Sequence, residues 1–433
     1  MTTPGSCQAS LTAQSQRSRA FAAILTLALC AAVVALALVL ASCGDDTPAT
    51  GASESDSASP SPTVIPSPTG AAASTIAAVT GRKSDTLVAM DTSGGSVVLV
   101  PGDGRPLSNV QWSPDGKRIA YLKHDYLFSW ETTLMVYDVA GGGPVTVSFG
   151  DMVPEMIYGY TWVSPTELVA AAYPTVPKKT KSNGTLYRCD VAGGTAAPLT
   201  DSSGVALQGM QPSASADGHL LAYVGFSAGG SAGRATEMLE LLDVASGSVK
   251  HVRSAQTDMK VEGMDFDLPL ISPDGEHIFT RQMSIGPGFV VRIYGADGTE
   301  EARLPDLSYP GGAAWDPSGS GRVVFGGHIA ELRANRIIVY DPRAAGTGEF
   351  VPVIDLKKQL LFDFAWSPDG QWIVYSTISP RYDYETDDLA MVRRDGTGNT
   401  PIMKDTGYPS WAGVTVPQPP ASGSTTPAPS ASP

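Results

Sequence analysis

The chain has 433 residues, with 29 Lys and Arg against 43 Asp and Glu, for a formal net charge of −14 at pH 7. Nucleic acids and anionic lipid surfaces would be repelled by such a balance. The composition therefore excludes a nucleic-acid-binding protein and favours other classes of partner.

The amino-terminal segment is predicted to be an export signal over residues 1–42. Arg17 and Arg19 precede an apolar run over residues 21–41, and no acidic residue occurs before Asp45. The segment Leu40-Ala41-Ser42-Cys43-Gly44 resembles the lipobox of bacterial lipoproteins, in which the chain is cut before the cysteine and the thiol takes a diacylglyceryl group. This resemblance implies lipid attachment at Cys43 and a location on the outer face of the cytoplasmic membrane.

An uncleaved membrane helix is the alternative for the same segment, because 21 apolar residues are enough to span a bilayer. Both interpretations place the rest of the chain outside the cytoplasm, since the arginines mark the cytoplasmic flank. Cys7 and Cys30 leave with a cleaved signal and Cys43 is lipidated. Cys189 then stands alone, so no internal disulfide is expected and a buried thiol is predicted there.

Two low-complexity segments flank the central region. Residues 43–75 and 415–433 are dominated by Ser, Pro, Thr, Ala and Gly, a composition that cannot bury a core and predicts disorder. The first is interpreted as a tether with a root-mean-square reach of roughly 30 Å. It would hold a domain spanning residues 76–414 away from the membrane.

A tetrapeptide turn recurs through that domain. Proline presets φ at its second position, aspartate can bond its own backbone, and glycine accepts positive φ, so each copy should close a tight β-hairpin. The clear copies are Ser113-Pro114-Asp115-Gly116, Ser272-Pro273-Asp274-Gly275 and Ser367-Pro368-Asp369-Gly370, and the degenerate ones begin at Ser164, Ser215 and Asp316.

The residues around each turn predict a four-stranded unit. A short strand ending in Trp or Ala precedes the turn, an alternating strand such as Arg118–Leu122 follows it, and two more strands complete the unit. Successive copies begin 44 to 57 residues apart, which is the size of a propeller blade. Repeats of this length with four strands each indicate a β-propeller.

The two ends of the domain are predicted to share one blade. Residues 76–100 supply three strands of a unit that lacks its first strand, and the segment from Tyr408 to Gly413 resembles that missing strand. Joining them closes the ring and removes exposed sheet edges. Seven blades are predicted; six is the alternative, because Ala214 and Ile271 stand where Trp would be expected.

The repeated pattern of Trp-Ser-Pro-Asp-Gly followed by Ile-Ala-Tyr resembles the TolB-like, or WD40-like, propeller repeat, and is similar to the propeller domains of prolyl-oligopeptidase-type enzymes. The resemblance covers residues 76–414. TolB-like relatives imply protein partners in the cell envelope. The chain shows no sign of the separate amino-terminal domain of TolB, and the motif residues are turn and packing residues, so function must be argued from a site.

Chain geometry predicts where that site lies. Connections between the second and third strands, and those between blades, gather on one face, and these are the long irregular loops on which function is usually carried. Aromatic residues beside charge suit the binding of protein or sugar. The candidate binding residues in these loops are His124, Asp125, Tyr126, Trp130, Tyr382, Asp383, Tyr384, Glu385, Asp387 and Asp388, and an inter-blade connection adds Asp265 and Asp267.

Enzymatic function finds little support in the sequence. The segment Gly225-Phe226-Ser227-Ala228-Gly229 matches a nucleophile elbow, but a glycine-rich stretch follows where a helix is required. The five histidines are scattered through different blades, and only His124 and His328 are placed on the loop side. No catalytic residue, metal ligand or cofactor is assigned.

Two functional hypotheses are carried forward. The first is a membrane-anchored, non-catalytic propeller that binds an envelope protein, peptide or glycan of unknown identity. The second is a hydrolase or lyase that acts on extracellular polymers, with carboxylates and a divalent cation at the axis. A third interpretation is that the domain belongs to a larger lipoprotein assembly and has no ligand of its own.

Overall fold

The structure is a computed structural model, and it describes most of the predicted domain. The described residues are 75–81, 83–126, 131–141, 143–149, 154–174, 184–226, 237–254, 266–283, 288–304, 307–329, 334–344, 349–356, 360–378 and 387–412. The predicted signal, tether, tail and Cys43 lie outside these ranges. Within the described part of the chain, no helix has the length and apolar character needed to cross a membrane.

Within the described residues, twenty-eight strands form seven four-stranded antiparallel blades. Blades are numbered along the chain from the first blade whose four strands are consecutive in sequence. The blade shared between the two ends of the domain is blade 7. The strands of blades 1 to 3 are β4 Leu107–Trp112, β5 Arg118–His124, β6 Thr132–Asp138 and β7 Pro144–Thr146; β8 Pro154–Ser164, β9 Glu167–Pro174, β10 Thr185–Asp190 and β11 Thr195–Pro198; and β12 Gly209–Ala214, β13 Leu220–Phe226, β14 Glu237–Asp243 and β15 Ser248–Ser254.

Blades 4 to 6 repeat this order, and the seventh is shared between the two ends of the domain. Their strands are β16 Asp267–Ile271, β17 His277–Met283, β18 Phe289–Gly295 and β19 Glu300–Arg303; β20 Leu307–Trp315, β21 Val323–Ile329, β22 Ala334–Asp341 and β23 Glu349–Leu356; β24 Leu360–Trp366, β25 Trp372–Ile378, β26 Asp387–Arg393 and β27 Thr400–Met403; and, for blade 7, β28 Thr406–Trp411, β1 Ile76–Thr80, β2 Thr86–Met90 and β3 Ser96–Val100.

The predicted closure of the ring is confirmed. Strand β28 pairs antiparallel with β1, with Ile76 opposite Trp411 and Thr80 opposite Thr406. The order β28-β1-β2-β3 makes this strand the innermost of blade 7, just as β4 is the innermost of blade 1. The predicted seven blades are therefore confirmed, and β28 pairs with the edge of β1 that would otherwise be unpaired.

The core lies between blades. One cluster joins buried residues of blade 7, such as Leu87, to Trp112 and Ile119 of blade 1. Another joins Ile76 and Val88 of blade 7 to Val374 of blade 6. Each blade thus buries both faces against its neighbours, which is why the repeat is stable only as a closed ring.

The recurring turns of blades 1, 3, 4 and 6 have one geometry. In blade 1, the hydroxyl of Ser113 donates to Asp115 at 2.7 Å and accepts the backbone N–H of Arg118 at 2.9 Å, while Gly116 takes φ of 65°. The degenerate copy in blade 3 keeps the same bonds, from Ser215 to Asp217 at 2.6 Å and from the Leu220 N–H at 3.0 Å. The side chains close the hairpin in place of extra backbone bonds. We call this end of the ring the turn face and the opposite end the loop face.

Cys189 lies in β10 and is fully buried. Burial raises the pKa of its thiol to about 12. The predicted buried, unreactive thiol is confirmed.

Candidate functional site: the mouth of the axial cavity

The innermost strands of all seven blades surround a cavity of about 700 Å³ on the axis of the ring. Its lining extends to Leu122 and His124 at the end of β5 and to Thr132 at the start of β6. These residues lie at the loop face, so the cavity reaches the face on which the sequence predicted a site.

Each inner strand contains a bulge near the loop face. In β4, the pairing steps from Ser108 opposite Leu122 to Gln111 opposite Ala120, so Asn109 and Val110 together face one residue of β5. The other six inner strands shift register at the corresponding place. A bulge bends its strand and redirects a side chain.

We call the position of the motif tryptophan near the end of each inner strand the Trp position; Ala214 and Ile271 occupy it in blades 3 and 4. The residue three positions before it lies within the bulge and lines the cavity. We call these seven residues the mouth ring: Asn109, Gly159, Gln211, Leu268, Gly312, Asp363 and Tyr408. Four non-glycine members have φ of 53° to 55°, and Gly159 has φ of 121°. Left-handed backbone costs an ordinary L-residue about 1–2 kcal/mol, so the ring contains stored strain of the kind that gathers at functional sites.

The members of the ring differ in chemistry, and five of the seven share a positive φ. Asn109 offers an amide and Tyr408 a phenol, and Asp363 offers a carboxylate. The backbone carbonyl of Asn109 accepts the hydroxyl of Tyr160, a fully buried tyrosine whose pKa desolvation raises well above its usual value. Varied side chains at the bulges of successive inner strands are an arrangement suited to selective recognition.

A closed polar network occupies the ring at blades 3 to 5. The Gln211 amide donates to Asp267 at 2.7 Å and accepts the Leu268 N–H at 3.0 Å. Asp267 also accepts a bond from Arg281, and the same guanidinium donates to the Gly311 carbonyl at 2.6 Å. This side of the mouth has its polar groups engaged with one another.

The Trp position ends the cavity towards the turn face. The indole N–H of Trp162 donates to the Gln111 carbonyl of the preceding blade at 3.3 Å, and Trp315 and Trp366 make the equivalent bond to Leu270 and Ala314 at 2.8 and 2.9 Å. These three motif tryptophans therefore bond adjacent blades together, a role beyond the packing predicted for them, whereas Nε1 of Trp112 and of Trp411 has no hydrogen-bond partner among the described residues.

Serine and histidine meet at the edge of the cavity. The Ser108 hydroxyl lies 2.7 Å from Nε2 of His124, and both residues line the cavity. A hydroxyl beside an imidazole is the first requirement of an activated nucleophile. His124 is the last residue of β5, paired with Thr132, rather than a loop residue as predicted.

The other predicted binding residues that the structure describes do not line the cavity. Asp125 lies 3.8 Å from Arg105, and the Tyr126 side chain is 64% exposed outside the lining. Trp130, Tyr382, Asp383, Tyr384 and Glu385 lie outside the described residues. The predicted loop positions of three further acids are wrong: Asp387 and Asp388 extend the ladder of β26 opposite Ile378 and Thr377, and Asp267 begins β16.

One group of possible metal ligands lies at the turn face, where Asp274, Glu276 and His277 come within reach of one another. Arg343 already bonds Asp274 and approaches Glu276 to 3.8 Å, while Nδ1 of His277 meets Glu301 at 2.7 Å. Arg343 thus already offsets the charge of both carboxylates and Glu301 engages Nδ1 of His277, while the buried Nε2 of His277 has no hydrogen-bond partner among the described residues; we assign this group no metal.

Comparison with known proteins supports the fold alone. No protein-family sequence pattern matches the chain, and no curated protein matches its sequence. Among solved structures, it is similar to an oligogalacturonate lyase in complex with manganese, at 13% identity and a TM-score of 0.50 over 71% of this chain and 81% of that one. TolB from Acinetobacter baumannii matches at 20% identity and a TM-score of 0.42, over 72% of this chain and 68% of that one. A prolyl endopeptidase matches at 12% identity and a TM-score of 0.47, over 70% of this chain and 42% of that one.

The predicted all-β propeller of seven blades is confirmed by the structure, and TolB structures are among its matches. Because both binding proteins and enzymes share this architecture, the fold does not choose between them.

Proposed function

We propose that the chain is a lipid-anchored, extracytoplasmic propeller that binds an envelope protein, peptide or glycan at the mouth of the axial cavity, without catalysis. The observation that carries the proposal is the mouth ring, in which seven bulged strands bring different side chains to one concave site. A cavity of about 700 Å³ falls in the range typical of ligand sites.

Charge reversal in the mouth ring tests the location of binding. The full chain, purified in detergent, is used to capture components of a solubilised envelope fraction, beside Asp363→Arg and the control Val145→Arg. Val145 is half exposed on the outer strand β7 and does not line the cavity. We expect a component retained by the parent and by Val145→Arg but lost with Asp363→Arg; equal retention by all three, or retention of nothing, would contradict the proposal.

Anchoring through Cys43 is tested separately. In Cys43→Ser, a cleaved lipoprotein loses its acylation site, so we expect the diacylglyceryl mass to disappear from the amino-terminal peptide and its processing to stop. The uncleaved-helix alternative predicts the same mass for parent and variant, with residues 1–42 still attached in both. Mass spectrometry of the membrane fraction distinguishes the two.

A hydrolase is the second candidate, and the Ser108–His124 pair is the observation that favours it. The full chain would be assayed against ester, lactone and glycan substrates, beside Ser108→Ala. Turnover that Ser108→Ala lowers by 100-fold or more, on the order expected for loss of a nucleophile or its base, would replace the binding proposal with this one.

A further inference from the structure

The mouth ring has two unlike halves. At blades 3 to 5, Gln211, Asp267 and Arg281 are bonded to one another as a closed network. At blades 6, 7 and 1, the ring presents the carboxylate of Asp363, the phenol of Tyr408 and the amide of Asn109 in consecutive blades. We call these three blades the recognition sector, because different hydrogen-bonding groups stand side by side there.

An aromatic pair borders the recognition sector. The Phe362 and Tyr408 rings meet edge to face, with centroids 5.8 Å apart and planes at 84°. Phe362 is 37% exposed, which is unusual for a phenylalanine among these strands. An exposed ring beside polar groups suits a ligand with one apolar face and many hydroxyls.

An indole in the same sector has a hydrogen to donate. Trp411 is buried in the cavity lining, and its Nε1 has no hydrogen-bond partner among the described residues. Trp162, Trp315 and Trp366 donate to a carbonyl of the preceding blade, whereas Trp112 also lacks a partner among the described residues but does not line the cavity. A buried donor without a partner costs about 1–3 kcal/mol, and a ligand oxygen would relieve this cost.

We propose that the ligand is an uncharged oligosaccharide whose terminal sugars enter the recognition sector, an inference that rests on the proposed binding function. The aromatic pair offers a surface to the apolar face of a sugar ring, Asp363 and Asn109 bond its hydroxyls, and Trp411 donates to one of its oxygens. The concave cavity suits a chain end better than a broad protein surface, which usually needs a larger, flatter contact. The Asp363 carboxylate and the chain's net charge of −14 disfavour uronate polymers.

The test measures binding of named sugars to the full chain in a detergent without a sugar head group. The probes are gluco-, manno-, galacto- and chito-oligosaccharides, with oligogalacturonate as the charged comparison, followed by calorimetry and tryptophan fluorescence. We expect at least one uncharged probe to bind ten-fold or more tightly than oligogalacturonate. Preference for oligogalacturonate, or binding of no uncharged probe, would overturn the inference.

A matched pair of tryptophan variants locates the sugar. Trp411→Phe keeps the ring and removes a donor that has no protein partner, so we expect a three- to ten-fold loss of affinity with little change in thermal stability. Trp162→Phe removes a donor that bonds the Gln111 carbonyl and belongs to blade 2, outside the cavity lining, so stability should fall while affinity stays. Unchanged affinity in Trp411→Phe, or equal loss in both, would contradict the assigned position.

The two proposals fail in different ways. If no uncharged sugar binds but the envelope component retained by the parent is still lost with Asp363→Arg, the sugar inference is wrong and the binding function stands. If neither probe sugars nor an envelope component depend on Asp363, both are wrong.

Discussion

The two ends of the inner strands differ in what the repeats share: side-chain bonds at the turn face and backbone bulges at the mouth ring. At the turn face, serine and aspartate side chains form the same bond in blades 1, 3, 4 and 6, as Ser113 and Ser215 show. At the mouth ring, the bulge recurs in every blade while the side chain changes from Asn109 to Leu268 to Tyr408. The turn face therefore repeats chemistry and the mouth repeats only shape, which leaves the mouth able to distinguish ligands.

The largest effect is expected from deleting a whole inner strand, which removes its turn-face end and its mouth-ring residue together. Truncation after Asp405 deletes β28, which pairs with β1 and buries Trp411 and Ala412. We expect the loss to exceed about 5 kcal/mol, comparable to the whole stability of many domains, so that near-ultraviolet circular dichroism shows no cooperative transition.

Truncation after Val414 is the control for that deletion, because it removes only the predicted low-complexity tail. Its transition should match that of the parent. A cooperative transition at the parent temperature after loss of β28 would show that closure does not hold the ring together.

Glycine variants test whether the turn face is as uniform as its sequence. Gly218 and Gly319 each occupy the fourth position of a turn, with φ of 70° and 80°. A Cβ added at Gly218 would lie 1.8 Å from the carbonyl oxygen of Val163 in the preceding blade, whereas a Cβ added at Gly319 would have no atom within 4 Å. We expect Gly218→Ala to cost roughly 3 kcal/mol or more and Gly319→Ala about 1 kcal/mol. Urea unfolding of both variants measures the difference.

Equal costs for the two glycines would mean that backbone strain alone decides the effect. In that case the close approach of neighbouring turns contributes nothing to holding the blades together.

The turn face could be predicted from the sequence, whereas the mouth ring could not. The turns are local and repeat residue types, so Ser113-Pro114-Asp115-Gly116 and its copies predicted six four-stranded units, and the match of residues 76–100 and 408–413 to parts of the same unit predicted the closure and the seventh blade. The mouth ring is different: Asn109, Gln211 and Tyr408 share no residue type, and packing between blades holds their left-handed backbone.

The only sequence signal for the ring is its constant distance of three residues before the Trp position, which becomes visible once the repeats are aligned. The predicted binding residues are identified by a compositional feature, aromatic residues beside charged ones in long connections. Composition could not show that His124 and Asp388 belong to strands.

Acid should weaken the turn face. Hydrogen bonds from Ser215, then from the His219 backbone N–H, lower the pKa of Asp217 below its usual value. Because the folded-state pKa is lowered, the stability from this carboxylate is complete above about pH 4 and is lost as pH falls through the folded-state value. We expect Asp217→Asn to be less stable than the parent at pH 6, with the difference shrinking below pH 4.

Urea midpoints of the parent and Asp217→Asn between pH 2.5 and 7 measure this effect. A difference that stays constant across the range would show that the turn depends on the shape of the side chain and not on its charge. Since Asp217 lies on the surface, salt should reduce the difference as well.

The smallest expected effect separates strain from recognition at the mouth. Tyr408 has φ of 53°, a conformation that glycine adopts more readily than alanine, so Tyr408→Gly should be more stable than Tyr408→Ala by about 0.5–1 kcal/mol. Val110, beside Asn109 in β4, does not have positive φ, so Val110→Gly should be less stable than Val110→Ala, reversing the order.

Both Tyr408 variants lack the ring that meets Phe362 and should lose affinity for an uncharged oligosaccharide equally. If affinity instead followed stability, and Tyr408→Gly bound more tightly than Tyr408→Ala, the tyrosine would be serving the backbone of the bulge, and its side chain would not contact the ligand.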